Sequence, residues 1–419
     1  MNGTNEILVI GGGASGLAAA LAAAQAGGRV TVLERLDRIG KKLLATGNGR
    51  CNITNKNAAP EHYRTWDAEQ LAAMMDKLPS PQEVLTFFEG LGLLCSEEDE
   101  GRVYPYCRQA SMVIDVLRAA LSNAGVQVEC DAKVRRVTLK GETFTVSVED
   151  GRRLRADHLI LAAGGQAAPQ LGTDGSAFTL AKALGHTVQT PYPCLVPLRC
   201  KNFPSGLKGL RINGELSLWE GSACVKRERG EVQITEYGFS GIPAMQLSGF
   251  LVPGAPWMWA EMDFFPDMRE KELYALLAKR RGVPPFGTLE TLLLGLISKK
   301  AGYAVLKRSS LSPLSRPSST VTDTQLAALV KELKGWRFAV SGALPWAQAQ
   351  TTGGGVPLKE VDAGTCASCR CPGLYLTGEL LDAAGECGGY NLQWAWSTGL
   401  AAGRAAVSGS SGEEKGETV

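Results

Sequence analysis

The first 34 residues constrain the fold more than any other part of the chain. Residues 6–10 (EILVI) read as a short buried strand, followed by Gly11-Gly12-Gly13-Ala14-Ser15-Gly16. An alanine-rich helix then runs from about Leu17 to Ala26 and stops at Gly27-Gly28, and Arg29 to Glu34 (RVTVLE) reads as the next strand. This is a strand–helix–strand unit, the building block of a parallel sheet. Gly11 permits the turn, Gly13 lets the backbone approach a pyrophosphate, and Gly16 lets helix and strand pack closely. The helix start, with Ala14 and Ser15, offers free N–H groups and a partial positive charge to the phosphates. Glu34 ends the second strand 18 residues after Gly16, placed to accept hydrogen bonds from ribose hydroxyls. An acid there disfavours a 2′-phosphate. GxGxxG alone is a weak sign. With its strand, helix and terminal acid it predicts a dinucleotide site, and Arg35 is counted with it.

More distant segments decide for FAD, whose flavin must be cradled far from the adenosine. Residues 40–55 read GKKLLATGNGRCNITN. Lys41, Lys42 and Arg50 can neutralise pyrophosphate, although each lysine alone reads equally well as part of a solvated basic loop. Gly47 and Gly49 can bring backbone amides close to the ring, and Thr46, Asn48, Cys51 and Asn52 belong to the same cluster. Residues 374–399 read LYLTGELLDAAGECGGYNLQWAWSTG. A buried strand ends at Gly378-Glu379, which is suited to holding a ribityl chain. Gly388-Gly389-Tyr390-Asn391-Leu392 then opens a helix whose first amides can face the flavin N1–C2=O edge and favour the reduced ring. Trp394 and Trp396 read as core. A third buried strand, HLILAA at 158–163, ends in Gly164-Gly165.

Composition agrees. Glycine makes up 50 of 419 residues against a usual share of about 7%, and the excess sits in tight runs. Net charge is +2, from 44 Lys+Arg against 42 Asp+Glu, which gives no electrostatic case for nucleic acid or a membrane surface. No apolar run reaches the roughly 18 residues a spanning helix needs. The N-terminus enters a strand at once and shows no signal peptide. Eleven cysteines without framework spacing read as reduced thiols in a cytoplasmic protein.

The predicted organisation is a discontinuous FAD-binding domain at 1–190 and 341–419, an inserted β-domain at 191–265 and an inserted helical domain at 266–340. Residues 67–91 read as helical, with a capping box at Ser80-Pro81-Gln82-Glu83. Residues 111–123 read as a helix and 126–149 as a hairpin or small meander. The segment from about 391 to 406 reads as a helix, and the last dozen residues, SGSSGEEKGETV, as a disordered tail.

These motifs, together with GRVYPYCRQAS (101–111), TEYGFSGIPAMQLS (235–248) and TTGGGVPL (351–358), resemble those of the BaiN/YhiN-type flavoproteins. That family includes enzymes described as aminoacetone oxidase and as a bile-acid dehydroxylation reductase. The resemblance covers nearly the whole chain. It implies an α/β fold, a glutathione-reductase-type Rossmann FAD domain interrupted by a β-domain and a helical domain. It also implies adenine contacts from the backbone near Val134 and FAD contacts from Ala163, Gly164 and Gly165. Some relatives carry histidine where this chain has Glu236, so no histidine role is carried over.

Catalytic groups are harder to read. The three histidines, at 62, 158 and 186, all lie outside the glycine-rich motifs. His158 and His186 read as structural, which argues against a histidine-centred acid/base or metal site. Glu236 and Tyr237, before Gly238-Phe239-Ser240-Gly241, are candidates for a substrate wall because an inserted domain often closes over a flavin; a plain strand-to-helix turn is the competing reading. Tyr390 is a third candidate. Cys366, Cys369 and Cys371 lack a second pair for zinc and read as a surface turn, while Cys51 and Cys387 read as small packing residues.

The resulting expectation is an FAD-dependent oxidoreductase that moves hydride between a substrate carbon and flavin N5. One GxGxxG leaves no second Rossmann domain for stable NADH or NADPH binding. Reduced nicotinamide can dock transiently, giving a reductase of an enone-like small molecule. Alternatively, substrate reduces the flavin and oxygen reoxidises it, as in an amine oxidase. An RNA-modifying flavoenzyme and a non-catalytic redox sensor are the rivals from other classes. Oligomeric state is left open.

Overall fold

The computed structural model describes residues 5–204 and 206–408. They form two compact units, one up to Cys194 and again from Trp346, the other Leu195–Pro345. The tail expected at the C-terminus lies outside the described residues apart from Ser408.

The first unit is built on β1 (Glu6–Ile10), α1 (Ala14–Gln25), β2 (Arg29–Leu33), β3 (Gln127–Glu129), β4 (His158–Leu161), β5 (Leu374–Leu376) and α2 (Tyr390–Ser408). The five strands make one sheet in the order β5-β4-β1-β2-β3, and every pairing is parallel. The inner strands of such a sheet are covered on both faces and apolar; Ile7 to Ile10 are all buried, while the edge strand β3, Gln-Val-Glu, is largely exposed. The helix α1 is buried from Ser15 to Ala23, which explains its run of alanines. Small side chains let α2 approach until backbones touch. A methyl group at Gly399 would lie 2.3 Å from the Ser15 carbonyl oxygen, and one at Gly403 2.2 Å from that of Ala19.

Three expectations change here. Residues 67–91 form two helices, Ala68–Lys77 and Pro81–Gly90. Pro79 cannot continue the first helix's hydrogen bonding, and the Ser80–Glu83 capping box starts the second. The segment 126–149 is not one meander. Its first strand, β3, joins the edge of the parallel sheet beside β2, and only Val134–Lys140 and Thr143–Val148 form the hairpin, which Arg153–Ala156 extends. Finally, the first unit breaks at 194 and 346 rather than at 190 and 341. The chain leaves it after strand Gln189–Cys194 and returns just before Thr351–Gly355, and these two strands pair antiparallel.

The second unit is a closed antiparallel barrel. In order around it run Leu198–Cys200, Gly238–Ser240, Ala223–Ile234, Arg211–Glu220, Met258–Asp263 and Trp336–Ala343. Closure abolishes exposed sheet edges. The expected division into separate β and helical domains gives way to one core. Leu216, Phe239 and Met262 of the barrel share it with Leu273, Val305 and Leu329 of the helices. The closing strand, Trp336–Ala343, follows the helices in sequence, so neither half is complete alone.

Candidate cofactor site

Three glycines of the turn between β1 and α1 meet two kinds of surroundings. A methyl group at Gly11 would lie 2.5 Å from the Ala162 carbonyl oxygen, and one at Gly16 1.9 Å from that of Gly11. These two are packed against backbone. At Gly13 nothing lies within 4 Å. Gly13 is also the N-cap of α1, which has no side-chain cap. A helix start with open space before it and unmet N–H donors is a site for an anion.

Glu34 is buried beside it. Its Oε2 accepts from the Gly12 N–H at 2.8 Å and its Oε1 from the Leu36 N–H at 2.8 Å. Burial pushes its carboxyl up, opposed by those two bonds. Each oxygen keeps a lone pair for a hydroxyl. The amides of Asp131 and Ala132 bond to the carbonyls of Leu36 and Glu34 at 2.9 and 2.8 Å, which brings the start of the Val134 strand alongside. Arg35 pairs with Asp174 at 2.6 Å.

Segments far apart in sequence converge next. Lys42 Nζ lies 2.6 Å from Glu379 Oε2, and Thr352 donates to Glu379 Oε1 at 2.7 Å. Thr352 Oγ1 also accepts from the Gln166 and Ala167 amides at 2.8 and 3.0 Å. Gly165 must be glycine, since a methyl group there would meet Thr352 Oγ1 at 2.4 Å. Gly378, just before Glu379, is tied to α2 by Thr398 Oγ1 and the Trp394 indole N–H. A methyl group on it would lie 2.6 Å from Ser15 Oγ. Ala163 and Gly164 follow the end of β4 on the same side, where Gly11 packs on Ala162 and Ala163.

The turn Thr46–Gly49 is left-handed at Gly47 and Asn48. Arg50 lies over the Tyr104 ring at 4.5 Å. Cys51 is fully buried and its thiol is pushed up to about 12 by burial, so it is a packing residue rather than a thiolate. Asn391 Oδ1 accepts from the Gly385 N–H at 2.9 Å and holds the start of α2, where Tyr390 and Leu392 also sit. Gly389 fits closely, a methyl group there falling 2.8 Å from Asn52 Oδ1.

Two buried side-chain oxygens in these segments, Asn52 Oδ1 and Thr377 Oγ1, have no protein partner. Buried polar atoms are rarely left so. With the open helix start at Gly13, the buried acid and the cluster at Lys42, the donor set fits a long dinucleotide such as FAD. Lys41 stands apart from it, paired with Asp37 at 3.3 Å on the surface.

Other candidates lie elsewhere. Glu236 is exposed and paired with Lys208 at 3.1 Å, and Tyr237 is half-buried; both belong to the second unit. Cys366 and Cys371 are buried and only Cys369 is exposed, so the surface-turn expectation is corrected. That turn folds inward because its Cys369 N–H bonds to the Glu360 carbonyl at 2.9 Å and Cys371 N–H to Ser368 Oγ at 2.8 Å. Among the described residues no group of three or more His, Cys, Asp or Glu side chains could hold a metal ion. His186 is structural, held between Glu360 and Ser368 at 2.8 Å each.

One histidine lies closer to these motifs in space than in sequence. His62 lies outside every glycine-rich motif in sequence, yet its ring stacks on Tyr390 at 4.4 Å and its Nδ1 lies 3.0 Å from Glu386 Oε2. Tyr390 and Glu386 both belong to the 374–399 motif. The partners are 324 positions apart, so no local spacing could have revealed the pair.

The fold is that of a Rossmann-type dinucleotide-binding protein, and the donor set fits FAD. The chain matches the family of the HI0933-like protein Rossmann domain over residues 5–405 and belongs to it. It is 38% identical over 409 residues, 96% of this chain and 99% of the relative, to the 3-dehydro-bile acid delta(4,6)-reductase of Clostridium scindens. It is 26% identical over 417 residues, 96% and 98% of the two chains, to the ribosomal RNA dihydrouridine synthase of Haemophilus influenzae. Among solved structures, the 3-ketosteroid delta1-dehydrogenase of Sterolibacterium denitrificans shares the fold, with a TM-score of 0.50 at 14% identity over 97% of this chain and 100% of that one. The protein is an FAD-dependent oxidoreductase. No helix among the described residues is long and apolar enough to cross a membrane.

Proposed function

We propose that the protein reduces a carbon–carbon double bond conjugated to a carbonyl in a small organic molecule, with NADH or NADPH as a transient electron donor. The observation that carries this reading is the 38% identity, across essentially both full lengths, to a reductase whose name specifies a 3-oxo acid unsaturated at positions 4 and 6. Bound FAD would supply two-electron hydride chemistry. In this reading the amides at Gly13, Ala14 and Ser15 would hold the pyrophosphate, and Glu34 and the Val134 backbone the adenosine. Lys42, Glu379 and Gly165 would fix the middle of the cofactor. Amides at the start of α2, near Tyr390, Asn391 and Leu392, would favour added electron density on the ring. Tyr390 is proposed as part of the substrate wall; Glu236 and Tyr237 keep that role on sequence grounds alone.

A second reading has one specific support, the 26% identity to a ribosomal RNA dihydrouridine synthase. The uracil double bond is also conjugated to a carbonyl, so the two readings share chemistry and differ in substrate size. The near-even balance of 44 Lys+Arg and 42 Asp+Glu favours the small molecule, because polyanion binding draws on clustered positive charge.

The test is an anaerobic one. NADH or NADPH is added to the flavin-loaded protein, and the reduced form is then mixed with a 3-oxo-Δ4,6 steroid acid or with unmodified ribosomal RNA. Bleaching followed by reoxidation with the steroid supports the proposal. Reoxidation by RNA alone moves the assignment to the second reading. Indifference to both nicotinamides, with bleaching by an aminoketone and rapid recovery in air, would overturn both in favour of an oxidase.

A further inference from the structure

Reducing a conjugated double bond takes more than a hydride. When hydride reaches the β-carbon, the double-bond electron pair moves toward the carbonyl, and the α-carbon must gain a proton. A positioned acid commonly contributes about 10²–10⁴ to such a step. We infer that His62, oriented by Glu386, supplies this proton through Nε2; the inference rests on the reductase reading above.

The imidazole is placed from three directions. Strand Tyr63–Arg64 pairs antiparallel with Ala384–Gly385, and the Glu386 N–H donates to the His62 carbonyl at 2.9 Å. The Glu386 carboxylate then meets Nδ1 at 3.0 Å. The ring lies flat on Tyr390, with centroids 4.4 Å apart and planes 18° apart. Tyr390 is fixed in turn by Tyr63, whose hydroxyl donates to the Tyr390 carbonyl at 2.9 Å. A surface ion pair alone would be worth little, but a base whose one nitrogen is tied to a carboxylate and whose ring is clamped by stacking has its other nitrogen aimed. Among the described residues Nε2 makes no hydrogen bond, and the side chain is 28% exposed, enough for contact with a substrate or water.

The location supports the role. The clamp sits on the Gly388-Gly389-Tyr390 turn, where Asn55 Nδ2 donates to the Gly388 carbonyl at 2.8 Å and Asn52 Oδ1 is left without a partner. Around the stacked pair, Glu386, Glu61, Glu100 and Arg102 are the charged groups acting on the Tyr390 phenol, which burial pushes up. Glu386 is the one bonded to the imidazole. The step balances as follows. Bound FAD would pass hydride from NAD(P)H to the β-carbon, His62 would give its Nε2 proton to the α-carbon, and the imidazole would regain a proton from water. The sum is enone plus NAD(P)H plus H⁺ giving saturated ketone plus NAD(P)⁺.

The experiment uses the full-length, flavin-loaded protein and its His62→Gln, His62→Ala and Glu386→Gln variants. FAD affinity, the visible spectrum and the rate of anaerobic bleaching by NAD(P)H should stay within about twofold. Reoxidation by the 3-oxo-Δ4,6 steroid acid should slow about a hundredfold in His62→Gln, with a smaller loss in Glu386→Gln and partial rescue of His62→Ala by added imidazole. If His62→Gln reoxidises within twofold of the parent, the inference is wrong while the reductase reading stands. If the variant instead loses flavin and recovers its rate at saturating FAD, His62 is structural and the inference is again overturned. If the parent protein itself fails to reduce any enone, the reductase reading falls and takes this step with it.

Discussion

In the Rossmann unit, α1 and α2 meet backbone to backbone through Gly399 and Gly403. In the inserted unit the same packing problem is met with rings. Phe203, Phe239, Trp336 and Phe338 fill the barrel with centroids 4.6 to 5.0 Å apart in successive contacts. The difference is instructive. Rings fill volume, even where an indole N–H such as that of Trp336 is buried without a partner. Glycines and alanines bring peptide groups to set positions, and the Rossmann unit leaves some of them facing open space, as at Gly13, or beside buried orphans such as Asn52 Oδ1. The barrel core is filled by its own side chains, while the Rossmann unit keeps an open helix start at Gly13 near the buried Glu34.

The comparison can be broken most severely at Gly16. Alanine there would place its methyl 1.9 Å from the Gly11 carbonyl oxygen, far inside contact distance. Gly16→Ala should yield protein with no retained flavin absorbance; a variant that binds FAD normally would show that the close turn is dispensable. Next comes Phe338→Ala, which removes a ring from the barrel core and should cost about 3–5 kcal/mol there. Denaturant unfolding followed by tryptophan fluorescence should shift strongly while the flavin stoichiometry of the native protein holds. A matched loss of flavin would erase the contrast between the units.

How much of this was legible differs along the chain for a physical reason. The β1–α1–β2 unit and Glu34 are set by neighbours in sequence, and so is the Ser80 capping box. These could be read from spacing. The barrel could not be read so fully, because its closing strand Trp336–Ala343 pairs with Leu198–Cys200 across about 140 residues. The same holds for Lys42 with Glu379 and His62 with Glu386, whose partners are 337 and 324 positions apart. Cys366 and Cys371 misled for a related reason. A polar, cysteine-rich turn looks exposed until Glu360 and Ser368 draw its amides inward.

Acid should sharpen the comparison at intermediate size. Burial holds His186 below its ordinary value of 6.5. For Glu360 burial pushes upward, but bonds from Thr187, Arg370 and His186 outweigh it and hold it below 4.5. In both cases the unfolded chain binds the proton first, so stability is lost as pH falls, beginning near 6.5 for His186 and near 4.5 for Glu360. Each contributes a slope of up to about 1.4 kcal/mol per pH unit. Thermal melts of the Rossmann unit should soften below pH 6.5, and His186→Gln should reduce that upper step, to which His158, also held below 6.5 by burial, contributes the rest. The smallest effect belongs to Lys41→Ala. Its exposed pair with Asp37 predicts a change within about 0.5 kcal/mol in stability and little change in FAD affinity. Lys42→Ala, which unpairs Glu379, should weaken FAD binding clearly; equal effects at the two lysines would contradict the assignment of Lys42 alone to the cofactor cluster.

The most direct measurement is the visible spectrum of the purified protein, followed by denaturation and identification of the released cofactor. The account predicts flavin bands near roughly 375 and 450 nm, one FAD per chain, and a melting temperature that rises with added FAD as ligand linkage requires. A colourless protein that takes up no added FAD, and whose melting is indifferent to it, would contradict the central claim.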